Sequence, residues 1–235
     1  MDLLNQNRTY HRAQSSMELL PNYYAWTYGK FLTLIGGNVI ELGCGSGLGI
    51  GTYIDLADKV YAVDFNVDLL GRISQKFSTD KVTTVQADLL ADWGALENIN
   101  ADVVIMMDVL EHFHDDLALL KKAATLLAKN GRILIKVPAQ SALYSDMDKA
   151  SGHYRRYDPA DLEKLAAAAG LRLRFAKPVN TLGALAYRFK NTESSNFSRS
   201  FSPGQLKMIN RAIPLIRLGD YLTFLPGLSL ICVME

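Results

Sequence analysis

The sequence predicts an α/β fold with a doubly wound parallel sheet, and three observations support this prediction. Short apolar segments typical of strands alternate with amphipathic segments typical of helices along most of the 235 residues. One of these segments, residues 103–107, is apolar throughout, as expected for a strand covered by helices on both faces. A glycine-rich turn at residues 43–49 connects the first strand to the next helix. In such sheets, ligands bind in the crevice at the carboxyl ends of the strands.

The first half of the chain contains four of the predicted strands. A helical pattern at residues 16–35 is disturbed by Pro21 and contains an unusual cluster of aromatic residues. A short buried strand at residues 38–42 then leads into the glycines, and a helix restarts near Leu48. Runs of β-branched or apolar residues predict strands at residues 59–64, 82–86 and 103–107. Apolar residues spaced along one side predict a helix at residues 66–77.

The second half of the chain contains the other three predicted strands. An amphipathic helix at residues 117–129 is closed by an Asn-Gly pair, and the strand at 132–137 is stopped by Pro138. Residues 139–157 are predicted to be irregular and to lie over the crevice, because they leave the carboxyl end of the fifth strand. Capping and composition predict the rest: helices at residues 158–170, 181–190 and 203–218, a surface loop at 191–202, and strands at 171–175 and 227–234.

The glycine turn favours a cofactor without a phosphate. Its glycines follow the pattern E-x-G-x-G-x-G from Glu41, and the dinucleotide spacing G-x-G-x-x-G fits in no register. A carboxylate beside the turn would repel a pyrophosphate and attract a cation. S-adenosylmethionine carries a sulfonium and an ammonium and no phosphate, so it is the predicted cofactor. On the glycines alone, a turn that merely packs a helix on a strand stays an alternative.

Further acidic residues follow the predicted strands and converge at the same edge of the sheet. Asp64 ends the second strand, 21 positions after Gly43, where a carboxylate can accept hydrogen bonds from ribose hydroxyls. Asp88 follows the third strand and could accept from the adenine amine, although a solvated turn aspartate is the simpler interpretation of that residue alone. Asp108 follows the fourth strand. This convergence supports a ligand site more strongly than any one acid does.

Net charge, cysteine content and the length of apolar runs limit the class of protein to which this chain can belong. A formal net charge of +1 without a basic run gives no support for a nucleic-acid partner. Two cysteines, Cys44 and Cys232, indicate neither a disulfide framework nor a zinc site. The polar N-terminus and the lack of a long uncharged apolar run predict a cytoplasmic protein without stable membrane insertion. We expect one domain over residues 1–235, as a monomer or a homodimer.

From about Trp26 to Glu235 the sequence resembles the class I S-adenosylmethionine-dependent methyltransferases. The resemblance rests on the motif at residues 41–47, on Asp64 and Asp88, on the block at residues 108–112, and on residues 130–132. It implies a seven-stranded sheet in the order 3-2-1-4-5-7-6 with the last strand antiparallel and helices on both faces. It also implies one set of residues that contacts the methionine part, the ribose and the adenine of the cofactor. These residues are Glu41, Gly43, Cys44, Gly45, Gly47, Asp64, Phe65, Asp88, Leu89 and Asp108.

The sequence identifies the methyl acceptor less specifically than it identifies the cofactor. The Gly-His-Tyr-Arg-Arg-Tyr stretch at residues 152–157 is similar to that of bacterial small-molecule methyltransferases. His112 and His153 are the predicted general bases, with His11 as a further candidate, while His112 could instead brace the next helix. We expect residues 1–35 to form either a helical lid or packing against the sheet edge, and residues 139–157 and 179–226 to lie on the acceptor side. The predicted acceptor contacts are Tyr24, Tyr154, Arg155 and Tyr157, with Arg156 as a second anion-binding guanidinium.

These residues predict an enzyme that methylates a small molecule. A hydroxyl oxygen of a sugar, glycan precursor or natural product is the expected acceptor; a nitrogen or carbon acceptor, or a non-catalytic cofactor-binding member of the fold, are the alternatives. Asp108, Glu111 and His112 resemble the Glu-x-x-Glu-His ligand set of ubiquinone-pathway O-methyltransferases, in which a divalent ion is implied. No metal is expected here, because the first position of the set is aspartate rather than glutamate. A similar Val-Leu-Glu-His sequence also occurs in metal-free relatives.

Overall fold

The computed structural model describes residues 14–91, 93–188, 201–222 and 225–235. Its sheet has seven strands in the order β3-β2-β1-β4-β5-β7-β6, and β7 pairs antiparallel with both β5 and β6. The predicted fold, strand order and antiparallel last strand are therefore confirmed. The strands are β1 Asn38–Leu42, β2 Lys59–Asp64, β3 Val82–Gln86, β4 Ala101–Met107, β5 Leu127–Pro138, β6 Leu173–Val179 and β7 Ser229–Met234.

Helices cover both faces of this sheet. The helices that the structure describes with full bounds are α1 Pro21–Gly29, α2 Ile50–Tyr53, α3 Val67–Lys76, α4 Asp116–Ala124, α5 Asp146–Ala150, α6 Pro159–Ala168, α7 Thr181–Arg188 and α8 Pro203–Ile216. Short 3₁₀ turns lie at Leu32–Leu34, Ile54–Leu56, Leu110–His112, Ser141–Leu143 and Arg217–Tyr221. Among the residues described, none of these helices combines the length and apolar character needed to span a bilayer.

Two apolar clusters form the core, one on each face. Side chains alternate along β1, so Ile40 and Leu42 pack in one cluster and Val39 packs in the other. The first cluster includes residues of α4 and α6, and the second includes residues of α1, α2 and α3. Strand β4 is buried on both faces, as its apolar run predicts. This two-sided packing leaves the carboxyl edge of the strands as the place for a site.

Two predicted helices have different bounds in the structure. Residues 16–35 do not form one helix: residues 14–17 are helical, and α1 begins only at Pro21. Proline fits the first turn of a helix, where its missing N–H has no partner to lose, so Pro21 starts a helix rather than disturbing one. The helix predicted at residues 117–129 ends at Ala124, and β5 begins at Leu127. The Asn-Gly pair lies within β5, where Asn130 has a φ of 67°.

The acceptor-side bounds are also corrected. Residues 139–157 are not wholly irregular, because they contain the 3₁₀ turn at Ser141–Leu143 and helix α5. Strand β6 runs to Val179 and contains Pro178, which is tolerated because β6 is an edge strand. Residues 189–190 of a predicted helix, most of the loop predicted at 191–202, and His11 lie outside the described residues.

Candidate functional site

The glycine turn after β1 has the backbone that the sequence predicts. Gly43, Gly45 and Gly47 have φ values of 71°, 54° and 69°, a region that residues with a side chain rarely adopt. A Cβ at Gly43 would lie 2.8 Å from the Val109 side chain, and one at Gly47 would lie 2.7 Å from Ile73. The turn therefore requires glycine at these positions and presents bare backbone at the carboxyl edge of the sheet.

Asp64 connects this turn to the tip of β2. Its Oδ2 accepts a hydrogen bond from the Gly45 N–H at 2.9 Å, and its Oδ1 accepts from the Asn66 N–H at 2.9 Å. The residue is 2% exposed. Two backbone N–H groups thus fix the carboxylate at the strand end, the position predicted for a ribose contact.

Asp88 and two apolar side chains lie beyond β2 on the same edge. Asp88 follows β3, is exposed, and accepts a hydrogen bond from the Leu90 N–H at 2.9 Å. Phe65 is 47% exposed, and Leu89 is half-buried. Because β2 and β3 pair in parallel, with Asp64 opposite Gln86, these groups follow neighbouring strand ends. A carboxylate and apolar side chains at one sheet edge suit a planar base with an exocyclic amine.

Glu41 does not have the environment expected of a group that attracts a cationic cofactor. Its Oε1 accepts a hydrogen bond from the Tyr28 hydroxyl, and its Oε2 accepts from the Tyr53 hydroxyl at 2.5 Å. Burial raises the pKa of Glu41 to about 7, against the opposing effect of both hydroxyls. This geometry does not support the predicted electrostatic role. Glu41 instead links α1 and α2 to β1 beneath the turn.

The N-terminal residues that the structure describes contact the glycine turn. The side-chain oxygen of Gln14 accepts a hydrogen bond from the Ser46 N–H at 3.3 Å, and the ring of Tyr28 lies so close to Gly49 that a Cβ there would be 2.1 Å from its Cζ. Burial and the charge of Asp108 raise the pKa of Tyr24, which is half-buried. Gln14 and Tyr28 thus contact the glycine turn, and Tyr24 lies close enough to the end of β4 for the charge of Asp108 to affect it.

Asp108 is engaged by a buried lysine. It has a φ of 55°, and its carboxylate forms an ion pair with the Nζ of Lys136, whose side chain is buried within β5. Burial alone would lower the pKa of Lys136, but Asp108 and Tyr23 together outweigh burial and raise that pKa. The charge of Asp108 is therefore largely balanced by the protein itself.

Beyond Asp108, Glu111, His112 and His153 form a cluster. One ligand atom from each lies within 4.8 Å of the other two, and the two imidazole rings meet edge to face at 4.8 Å between centroids. The Glu111 side chain is fully buried, and neither carboxylate oxygen has a hydrogen-bond partner among the described residues. Burial, together with Asp108, raises the pKa of Glu111 to about 8. The Tyr154 N–H donates to the Glu111 carbonyl at 2.7 Å, which holds His153 against the 3₁₀ turn.

Both histidines are oriented through one ring nitrogen. Nδ1 of His153 lies 3.2 Å from Oδ1 of Asp148, and Asp148 is itself held by Nε of Arg156 at 2.9 Å. Burial opposes ionisation of Asp148, but these two partners bring its pKa down to about 2. Nδ1 of His112 faces Gly152, where a Cβ would lie 3.6 Å from it. In both rings, Nε2 is therefore the nitrogen that remains for chemistry.

The structure corrects part of the predicted acceptor surface. Tyr157, expected to offer a stacking face, is only 2% exposed, and its hydroxyl donates to Asp116 at 2.8 Å. Arg156 is buried in its contact with Asp148, and Arg155 pairs with Asp116 at 2.9 Å. These groups are used within the protein because residues 139–157 fold against α4. Tyr154 is 54% exposed and contacts the His114 ring edge to face.

Sequence reasoning missed several partners in this network. Asp116 and Asp148 each lie in the first turn of a helix, among acidic residues typical of helix caps. Nothing in the sequence therefore indicates that either one binds a distant side chain. Lys136 did carry one, since it is the single charged residue within an otherwise apolar stretch of β5, residues 133–137. A charge in a buried strand requires a partner, and Asp108 supplies it.

Similarity to known proteins identifies the family of this chain. The family model described as a methyltransferase domain matches residues 18–174, which is most of the chain. The chain belongs to this methyltransferase family. The predicted class I methyltransferase family, with S-adenosylmethionine as its cofactor, is thereby confirmed.

The relatives are distant. A ubiquinone biosynthesis O-methyltransferase of Xanthomonas euvesicatoria is 28% identical over 157 residues, covering 60% of this chain and 65% of that protein. The match thus spans just under two thirds of that relative's length. The Haloferax volcanii protein solved with the methyltransferase activator Trm112 has a TM-score of 0.66 at 16% identity, covering 94% of this chain and 92% of that one. An S-adenosylmethionine-dependent methyltransferase of Mesorhizobium loti has a TM-score of 0.61 at 14% identity, covering 88% and 95%.

Proposed function

We propose that this protein transfers a methyl group from S-adenosylmethionine to a hydroxyl oxygen of a small molecule. The observation that supports this most is the position of the His112 and His153 pair. Both follow the carboxyl ends of the central strands β4 and β5, at the same edge as the glycine turn and Asp64. A methyl acceptor that must lose a proton needs such groups beside the cofactor, whereas an amine or carbanion acceptor does not.

The residues at this edge fit S-adenosylmethionine. A Cβ at Gly43 or Gly47 would meet a core side chain within 3 Å, so the turn requires glycine there. The methionine part would lie against this bare backbone. Asp64 would hold the ribose, and Asp88 the adenine amine, with Phe65 and Leu89 against the base. Helix α2 after the turn has only four residues and is a poor phosphate site, which agrees with a cofactor that carries no phosphate.

The bound cofactor supplies a methyl carbon activated by its sulfonium, and the protein supplies position and proton handling. Displacement at such a carbon is in line, so holding the acceptor oxygen behind it and excluding water provide much of the acceleration. Nε2 of His153 would accept the hydroxyl proton, because Asp148 holds Nδ1 and so sets the ring orientation. His112 would serve the same purpose from the other side of the cluster.

A small acceptor would enter between Tyr24 and Tyr154. Tyr154 is exposed at the edge of the segment, and Tyr24 faces Asp108 from α1. A sugar, glycan precursor or natural product with a hydroxyl is the proposed class. The Xanthomonas relative is an O-methyltransferase by name, which supports oxygen as the acceptor atom without identifying the molecule.

An activity screen tests the proposal. Small hydroxylated compounds are incubated with the protein and isotopically labelled S-adenosylmethionine, and methylated products are read by mass. Product with hydroxyl acceptors is expected, and His153→Ala should retain cofactor binding while losing about 10²–10⁴-fold in turnover. Methylation only of amines would instead support the nitrogen alternative. Cofactor binding without any product would support the non-catalytic alternative.

The proposal includes a cytoplasmic setting and no large partner. Cys44 and Cys232 are both buried free thiols, which suits a reducing compartment. A small-molecule acceptor also requires no nucleic-acid surface, and the net charge of +1 agrees with this. Sedimentation of the purified protein would distinguish a monomer from a homodimer.

A further inference from the structure

Helix α8 carries apolar side chains on two opposite faces. Leu206 and Ile213 face inward and are buried. Met208 and Leu215 each follow one of them by two positions, which is a rotation of about 200° around a helix, so they face outward. Met208 is 65% exposed and Leu215 is 71% exposed. A surface helix normally places polar residues on its outer face, so these exposed apolar side chains require an explanation.

The exposed apolar surface continues beyond the helix. In the 3₁₀ turn Arg217–Tyr221, Leu218 is exposed and Tyr221 is 82% exposed. The same turn packs on α7, since a Cβ at Gly219 would lie 2.7 Å from the side chain of Leu182. Large apolar side chains that are exposed together, rather than scattered singly, mark an interaction site. We call this surface the outer patch, and its residues are Met208, Leu215, Leu218, Tyr221 and Leu222.

Every exposed charge within residues 203–222 is positive. The sole acid in this range, Asp220, is engaged by α1: Lys30 pairs with it at 2.7 Å, and Trp26 Nε1 donates to it at 3.0 Å. The outer patch therefore combines apolar and positive surface, although the net charge of the chain is only +1. Three basic residues supply the charge, and none of them pairs with a carboxylate among the described residues: Lys207, Arg211 and Arg217.

We propose that the outer patch docks on a membrane surface that contains anionic phospholipids. Apolar side chains of such a helix enter the boundary between headgroups and acyl chains, roughly 5–10 Å deep. Lysine and arginine extend along apolar surface and keep their charged ends at the level of the phosphates. A fluid lipid surface accepts side chains that protrude from a convex helix, whereas an acidic protein would need a matching concave surface. The contact is peripheral, because only the outer face of α8 enters the lipid.

The fold determines which edge of the molecule would face the lipid. Val179, the last residue of β6, pairs with Ser229, the first residue of β7. Pro138, at the carboxyl end of β5, pairs with the same Ser229. Residues 180–228 therefore leave and return at the carboxyl edge of the sheet, which is also the edge of the proposed site. Docking through the outer patch would place this edge near the membrane surface.

Cosedimentation of the full chain with lipid vesicles tests the proposal without any cofactor or acceptor. We expect binding to vesicles of equal parts phosphatidylglycerol and phosphatidylcholine, and little binding to phosphatidylcholine alone. Added salt should weaken the binding, because it screens the attraction between the basic residues and the lipid phosphates.

Two pairs of variants separate the outer patch from the rest of the surface. Lys207→Gln should weaken binding to the anionic vesicles about 5-fold. Its matched control is Lys121→Gln, which removes the same charge from an exposed position of α4. Leu215→Ser should weaken binding at least about 10-fold, because a leucine that enters the lipid is lost. Its control is Leu56→Ser, which changes an exposed leucine outside the outer patch.

Thermal unfolding establishes that each variant is folded. No binding to the anionic vesicles, equal binding to both kinds of vesicle, or equal losses in the patch and control variants would overturn the proposal. Self-association without lipid that Leu215→Ser abolishes, measured by sedimentation velocity, would assign the outer patch to a second copy of the chain and also overturn it. These measurements do not depend on methyl transfer, so failure here leaves the proposed function standing, and failure of the activity screen leaves lipid docking standing.

Discussion

The proposed cofactor side and the proposed acceptor side of the crevice are built in different ways. Around the glycine turn, the positions of functional groups are set mainly by backbone: positive φ at Gly43, Gly45 and Gly47, and two N–H groups that hold Asp64. On the acceptor side, they are set by side chains from distant parts of the chain. Arg155 and Tyr157 meet at Asp116, and Arg156 and His153 meet at Asp148.

These two kinds of construction indicate which part of such a site can change. A backbone turn depends on a few glycines and has one workable shape, so it suits a cofactor that never varies. A side-chain network can be repacked by exchanging a pair of residues, so it suits an acceptor that differs between enzymes. The comparison predicts that substitutions on the acceptor side act first on stability, whereas those on the cofactor side act first on binding.

The largest expected effect is on the acceptor side. Arg156→Met removes the buried partner of Asp148 and leaves a desolvated carboxylate, so the free energy of unfolding should fall by about 3–5 kcal/mol. The matched control is the neighbouring Arg155→Met, whose side chain is 36% exposed and should contribute about 1 kcal/mol or less. Urea unfolding followed by circular dichroism measures both. Similar losses in the two variants would contradict the distinction between the buried and the exposed pair.

The next effect is on the cofactor side. Asp64→Ala removes the carboxylate predicted to accept from the ribose, and should weaken S-adenosylmethionine binding by about 1.5–3 kcal/mol in calorimetry. Asp88→Ala should cost less, about 1 kcal/mol, because Asp88 is exposed. Unchanged affinity in Asp64→Ala would remove the ribose assignment. Because Asp64 also holds Gly45, a melting curve must show that the variant is folded.

Sequence reasoning succeeded where local rules determine the structure. The alternation of strands and helices, the glycine turn and the cap of α6 follow from periodicity, from positive φ and from short-range hydrogen bonds. The order of the strands, in contrast, was implied by the family resemblance. It failed where a residue's role depends on a partner far along the chain. From the sequence, Tyr157 is interpreted as a surface aromatic residue. In the structure, its hydroxyl donates a hydrogen bond to Asp116, 41 positions away.

Glu41 shows the same limit on the cofactor side. An acid before a glycine turn was expected to face the ligand, but Tyr28 and Tyr53 come from two helices and enclose it. Neither tyrosine has a distinctive spacing relative to Glu41 in the sequence. A buried carboxylate with two hydroxyl donors could be recognised only after the helices were placed.

The pH dependence of stability tests this view of Glu41. Its pKa is about 7 in the folded protein against an ordinary value of 4.5, so the folded state holds an extra proton between these values. Stability should therefore fall as pH rises from 5 to 7, by on the order of 2 kcal/mol from this group. Glu41→Gln removes the titration and should flatten that decline in urea unfolding at several pH values. An unchanged slope would mean that Glu41 is ionised in the fold.

The smallest expected effect on stability concerns Tyr154, and it separates an acceptor contact from a structural residue. Tyr154 is 54% exposed, so Tyr154→Ala should change the free energy of unfolding by no more than about 0.5 kcal/mol while raising KM for the acceptor. Tyr157→Phe, three positions on, should do the reverse: it loses a hydrogen bond to Asp116 worth about 1.5–3 kcal/mol and leaves KM unchanged. Steady-state kinetics and urea unfolding on the two variants distinguish these outcomes. If Tyr157→Phe raises KM and Tyr154→Ala does not, the acceptor lies deeper than the exposed edge, and residues 139–157 contact it through their buried face.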